Sequence, residues 1–234
     1  MKKSVNFIIC LILPIFLFSQ GNAGSFNLIK NAYVDISTVN FGIKNQYTVM
    51  GWVKWNVDAS SEETWFDLIQ RNDNEKENYR QFCIQSNADN SRLEFTLQLD
   101  TDTKEMWSDS KIKEGEWFHF AATCNGNQQT LYINGVEESS QVSTGVSSSS
   151  ASEFNLSLCS FATWNFAQNF DGEVDKVSVW KTILTQEEIS TLMNANKPPC
   201  SCRLVAYFSA DEVEGNIFID DGENKDLDFY SNKH

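Results

Sequence analysis

The stretch Trp117–Gly135, WFHFAATCNGNQQTLYING, decides the fold class. Glu116–Cys124 reads as a strand, and Asn125-Gly126-Asn127 is the signal of a tight hairpin. Thr130–Ile133 then pairs back, and Asn134-Gly135 turns the chain again into Val136–Ser140. Asn and Gly tolerate the positive φ that short hairpin turns demand. Two such turns in quick succession predict an antiparallel meander.

The same period of two extends outward on both sides. Tyr33–Ile36 is a short strand. Tyr47–Val57 (YTVMGWVKWNV) puts Val49, Gly51, Val53, Trp55 and Val57 on one face and Met50, Trp52, Lys54 and Asn56 on the other. Trp65–Gln70, Gln81–Gln85 and Leu93–Leu99 are further strands, the last with Leu93, Phe95, Leu97 and Leu99 on one face. Phe154–Leu158 and Gly172–Lys181 follow a Ser-rich stretch, 139–152, that reads as a surface loop. The prediction is an all-β, two-sheet antiparallel jelly-roll sandwich with one short helix near its C-terminal end. That helix is Thr185–Asn194, where Thr185 and Glu188 spell a capping box and Ile189, Leu192 and Met193 share a face. Lys197-Pro198-Pro199 stops it.

The chain has 234 residues with 18 bases and 32 acids, a formal charge of −14. Nucleic-acid binding needs basic clusters, so it is excluded as an expected activity. Two histidines, His119 and His234, leave little room for His-rich metal sites or Ser–His catalysis. At the N-terminus, Lys2 and Lys3 precede an apolar run, Phe7–Phe18, that Pro14 interrupts. A bilayer span needs about 20 apolar residues. The run is too short, and Gly21-Asn22-Ala23 offers small residues for cleavage, so 1–23 reads as a signal peptide. The product is expected to be secreted, without membrane insertion. Six cysteines less Cys10 of the leader leave five, an odd number, in a compartment that permits disulfides. Cys83 and Cys124 sit in strand patterns and read as buried thiols; one bridge is expected to involve the Cys200/Cys202 stretch.

Four fragments, in order, resemble laminin-G-like jelly-roll domains of the concanavalin A-like lectin/glucanase superfamily. They are Tyr47–Lys54 (YTVMGWVK), Trp117–Gly126 (WFHFAATCNG), Leu131–Val136 (LYINGV) and Phe170–Trp180 (FDGEVDKVSVW), the last followed by Leu184–Ile189. The domain is taken as 24–196. The resemblance implies a curved two-sheet sandwich that binds glycans or other extracellular partners, sometimes with Ca²⁺. Such modules usually open with a strand of the type L-V-A-Y. Here that piece lies at the C-terminus, in Leu204-Val205-Ala206-Tyr207-Phe208, within an acidic tail at 197–234. The 204–209 strand either completes the same sheet or begins a second repeat. Closure is favoured, because an unpaired apolar strand is an aggregation edge.

Candidate chemistry is sparse. Glu173-Val174-Asp175-Lys176-Val177-Ser178 resembles the E-x-D-x-(x)-E strand of retaining β-glucanases, but Val177 and Ser178 stand where the second Glu belongs. Double displacement needs two carboxyls about 5–5.5 Å apart. No catalytic residue is therefore assigned and no enzyme activity is expected. His119 reads as a packed strand histidine. For ligand binding, Trp164 with Asn165, Gln168 and Asn169 forms a loop-like aromatic and amide cluster suited to sugar rings, and Trp107 stands beside Asp102 and Asp109 in another polar connection. Trp52, Trp55, Trp117 and Trp180 are read as core. Metal ligands stay unknown. Asn72–Glu75 and Asp220–Asn224 carry oxygen donors for Ca²⁺, without EF-hand spacing. The reading is a non-catalytic module that binds a polysaccharide or glycan, with an extracellular protein-interaction or adhesion module as the alternative.

Overall fold

The hairpins form as the turn chemistry requires. Asn134 and Gly135 both adopt positive φ (52° and 76°), the pairing a two-residue I′ turn needs. The Asn125 side chain accepts the backbone N–H groups of Asn127 and Gln128 at 2.8 and 2.7 Å, closing the other turn. A computed structural model describes residues 24–26, 32–35, 46–56, 65–73, 80–87, 91–98, 102–144, 154–158, 172–199, 203–208, 213–214, 217–218 and 227–231.

Two antiparallel sheets result. The seven-stranded sheet contains β1 (Gly24–Phe26), β3 (Tyr47–Trp55), β8 (Trp117–Cys124), β9 (Gln128–Ile133), β10 (Val136–Val142), β12 (Gly172–Trp180) and β13 (Leu204–Phe208). The nine-stranded sheet contains β2 (Ala32–Asp35), β4 (Trp65–Asp73), β5 (Arg80–Asn87), β6 (Arg92–Gln98), β7 (Thr103–Lys111), β11 (Phe154–Leu158), β14 (Val213–Glu214), β15 (Ile217–Phe218) and β16 (Leu227–Ser231). The first runs β1-β12-β3-β8-β9-β10 and the second β14-β15-β16-β2-β11-β4-β5-β6-β7. The C-terminal strand β13 pairs with β12, from Val177 opposite Phe208 to Trp180 opposite Leu204. Strand β1 pairs with the other end of β12, from Gly24 opposite Val174 to Phe26 opposite Gly172.

Between the sheets lies one apolar cluster. Val49, Val53, Trp55, Phe118, Phe120, Leu131, Val174, Val177 and Val179 meet Phe66, Ile69, Phe82, Ile84, Leu93, Phe95 and Leu97 there. Burial of this kind contributes about 25 cal/mol per Å² of apolar area. Gly51 lies on the inner face of β3 because nothing larger fits: a Cβ there would meet Val177 Cγ2 at 2.9 Å and Val177 Cα at 3.0 Å.

The helix α1 (Gln186–Met193) forms with both bonds of the capping box, Glu188 N–H to Thr185 Oγ1 at 3.2 Å and Thr185 N–H to Glu188 Oε2 at 2.9 Å. The Thr48 hydroxyl ties its approach to β3, donating to Thr182 O and accepting from Leu184 N–H, each at 2.9 Å. The helix packs on the outer face of the seven-stranded sheet, where Ile189 and Leu184 join Met50, Ala121, Tyr132 and Trp180 in a second cluster. Trp55, Trp52 and Trp180 are buried as expected, Trp55 between the sheets and Trp52 and Trp180 on the outer face beside α1, whereas Trp117 is only half-buried. Alternation assigns residues to a face; it does not reveal that α1 covers the second face.

Candidate functional site

Helix α1 packs on the outside of the seven-stranded sheet, whereas the outer face of the nine-stranded sheet carries a set of polar residues that is buried at its middle and reached only at one edge. Strands β4 to β7 bring polar residues into register across it. Asp67 stands opposite Gln85, Gln85 opposite Glu94, and Glu94 opposite Trp107. A neighbouring row runs Ser157, Gln70, Cys83, Thr96, Glu105, with Asp35 of β2 opposite Ser157. Trp65, next to Asp67 in β4, brings its ring to within 5.9 Å of the Trp107 ring, centroid to centroid, at a tilt of 43°.

The rows are knitted by hydrogen bonds. Gln85 Nε2 donates to Glu94 Oε2 at 2.6 Å. Cys83 Sγ lies 3.4 Å from Asp67 Oδ1 and 3.3 Å from Gln85 Oε1. Buried polar groups persist only with such partners, and a charge-assisted bond is the stronger kind. Exposure is graded along the rows. Asp67, Gln70 and Cys83 are fully buried and Glu94 nearly so, Trp65, Trp107 and Thr96 are half-buried, and Glu105 is exposed. The surface is therefore reached from its β6–β7 edge, where two indoles stand beside amide and carboxyl groups. That combination suits sugar rings, whose C–H faces stack on indoles and whose hydroxyls both donate and accept.

The expected ligand residues fare differently. Trp107 is not in a polar connection; it belongs to β7, with Glu94 opposite it and Trp65 beside it. Strand β7 escapes a sequence reading because its pattern buries only two residues, Met106 and Ser108. Asp102 lies just before β7, its carboxyl held below the usual range by the Lys104 ammonium and the Thr103 N–H. Trp164, Asn165, Gln168 and Asn169 lie outside the described residues, as do Asp220–Asn224. So do Asn74 and Glu75; Asn72 and Asp73 end β4. Trp65, Asp67, Gln70, Gln85 and Glu94 were missed, although Trp65 beside Asp67 in a polar alternation was the available signal.

Glu173 is committed elsewhere. It stands opposite Lys54, and its carboxylate accepts from Lys54 Nζ at 2.7 Å. The strand bulges just beyond it, between Asp175 and Ser178, with Lys176 at φ 51°. The bulge sends Val177 into the core and turns Ser178 outward, where its hydroxyl accepts from Trp180 Nε1 at 2.9 Å. His119 is 1% exposed, and burial pushes its pKa down to about 3. Cys83 and Cys124 are buried and neither is in a disulfide, and burial raises the pKa of the Cys124 thiol. Cys159, Cys200 and Cys202 lie outside the described residues. Among the described residues no group of three or more His, Cys, Asp or Glu side chains is placed to hold a metal, and no helix is long and apolar enough to cross a membrane.

The chain belongs to the concanavalin A-like lectin/glucanases superfamily, which it matches over residues 28–190. Among curated proteins it is similar to mouse (Mus musculus) pappalysin-1, at 32% identity over 109 residues. That match takes in 45% of this chain but only 6% of pappalysin-1. Among solved structures it is similar to a protein of Bacteroides ovatus to which carbohydrate binding has been ascribed (TM-score 0.68, 14% identity, 89% of this chain and 58% of that one). It is also similar to the CBM40 module of the Ruminococcus gnavus IT-sialidase bound to α2,3-sialyllactose (TM-score 0.57, 15% identity, 74% of this chain and 97% of that one). At these identities the structural likenesses establish the fold, a two-sheet jelly roll.

Proposed function

We propose that this chain is an exported, non-catalytic binding module that recognises a polysaccharide or glycan. One observation carries the reading: the Trp65–Trp107 pair lies at the accessible edge of a polar row, on the sheet face that α1 leaves uncovered. Indoles against sugar C–H faces and amide or carboxyl groups toward hydroxyls are the chemistry such a face offers. The fold supports it, since a sialyllactose-bound module and the Bacteroides ovatus protein share the architecture. Trp164, Asn165 and Asn169 are proposed to add to the ligand set, with Ca²⁺ assisting. Residues 1–23 are proposed to direct export. The lone Glu173 paired with Lys54 supports the absence of glycosidase chemistry.

A glycan and polysaccharide array tests this. Saturable binding that falls at least tenfold in Trp107→Ala and in Trp65→Ala is expected. Silence across neutral, acidic and amino glycans overturns it in favour of a protein-interaction module. A rise in the thermal midpoint with Ca²⁺ over chelator is expected for an assisting ion; an unchanged midpoint removes the calcium from the proposal.

A further inference from the structure

We propose that the cleft beneath the C-terminal end of α1 is a binding site for a soft monovalent cation of the Cu(I) or Ag(I) type, with His119, Met50 and Met193 as ligands and the Trp52 indole against the ion. All four side chains line one cleft, on the opposite side of the sandwich from the Trp65–Trp107 face. The cleft is partly open and has room for about one water-sized sphere against these side chains.

The ligand chemistry is specific. His119 is 1% exposed, and its Nδ1 is buried with no hydrogen-bond partner. A buried polar atom without a partner is destabilising, and a bound ion would relieve it. Met50 is 3% exposed and Met193 sits over the cleft at the last turn of α1. Two thioethers and an imidazole form a neutral, soft donor set, which favours Cu(I) and discriminates against Ca²⁺ and Mg²⁺, both of which require oxygen. The indole of Trp52 meets the His119 ring edge-on at 5.3 Å, and its Nε1 donates to Met193 O at 3.1 Å, so both the ring and the helix end are held in place. A cation near an indole face gains a further attraction. Lys176 also lines the cleft, at its strained φ of 51°. Its charge opposes a divalent ion more than a monovalent one.

The test uses the full mature chain, labelled with ¹³C in methionine methyls and ¹⁵N in histidine, with accessible thiols blocked by N-ethylmaleimide. Silver nitrate in chloride-free buffer is the diamagnetic probe. One equivalent of Ag(I) is expected to shift the methyl signals of Met50 and Met193 and the ring nitrogens of His119. The Met106 methyl, held in the core between the sheets, serves as the internal control. Ca²⁺ and Zn²⁺ are expected to leave all of them in place. Met50→Leu with Met193→Leu, a volume-conserving pair, is expected to weaken silver binding at least tenfold and to abolish the His119 shift. Silver uptake with Met50, Met193 and His119 unmoved overturns the proposal, as does a titration that moves Met106 equally. The wild-type titration decides the matter even if the double variant does not fold.

Discussion

His119 and Asn134 are bonded to each other twice: the Asn134 side-chain oxygen accepts the His119 N–H at 2.9 Å, and the His119 carbonyl accepts the Asn134 N–H at 2.8 Å. The residue that turns the β9–β10 hairpin thus also clamps the middle of this segment of β8. Asn suits both tasks, because its short amide tolerates positive φ and reaches a neighbouring backbone. Replacing Asn134 with Gly keeps the turn conformation and removes one bond to a buried N–H, for a cost of about 1–3 kcal/mol. Replacing it with Val adds backbone strain at φ 52° and is expected to cost more. Urea unfolding of the two variants gives the order directly; equal stability of Asn134→Gly and the parent would show that the side-chain bond contributes nothing.

Stability is expected to depend on pH through His119. Burial lowers its folded pKa to about 3, against an ordinary value of about 6.5 in the unfolded chain. Between those values the unfolded chain binds the proton and the folded one does not. The neutral histidine therefore adds stability that is complete above pH 6.5 and declines as pH falls toward 3, at up to ~1.4 kcal/mol per pH unit. The histidine's share is read as the difference between the parent and His119→Gln across the window from pH 6.5 to 5. Urea midpoints measured there should fall more steeply in the parent than in His119→Gln. A parent profile that is flat there contradicts the burial of a neutral imidazole.

Much of the fold is legible in the residues, and the exceptions have physical causes. The hairpin turns, the inward face of β3 and the capped helix each rest on local chemistry, where neighbours in sequence determine the outcome. Strand β7 was invisible because an edge strand with one polar face buries too little to leave a pattern. The Asp67–Gln85–Glu94–Trp107 row was invisible for another reason. Each polar residue reads locally as a solvated face, and only the register between strands, adjusted by bulges near Leu68 and within β7, brings the four together. Trp52 and Trp180 are buried as their strand positions imply, but period-two alternation cannot say that a distant helix, not the other sheet, covers them.

Gly51 is expected to be intolerant of even one methyl group. The added Cβ would approach Val177 within 3.0 Å at a backbone atom, which has no freedom to move aside. Overpacking of this kind costs about 1–3 kcal/mol. Gly51→Ala should therefore lower the thermal midpoint, and Val177→Ala should restore part of it by freeing the space occupied by Cγ2. Additive losses in the double variant would mean that the two sites do not press on each other.

The Lys54–Glu173 pair is expected to matter little to stability and not at all to catalysis. The two atoms lie 2.7 Å apart, but both side chains are about a third exposed, at 31% and 30%. Solvent screens such pairs, and their measured worth is about 0–1 kcal/mol. Glu173→Gln should thus shift the urea midpoint by no more than that. Were Glu173 instead a glycosidase nucleophile, the parent would release reducing sugar from a β-glucan and the variant would not. The missing partner is the reason to expect neither: Ser178 stands beyond the bulge at Lys176 on the same outward face as Glu173, and its hydroxyl, which accepts from the Trp180 indole, is no second carboxyl.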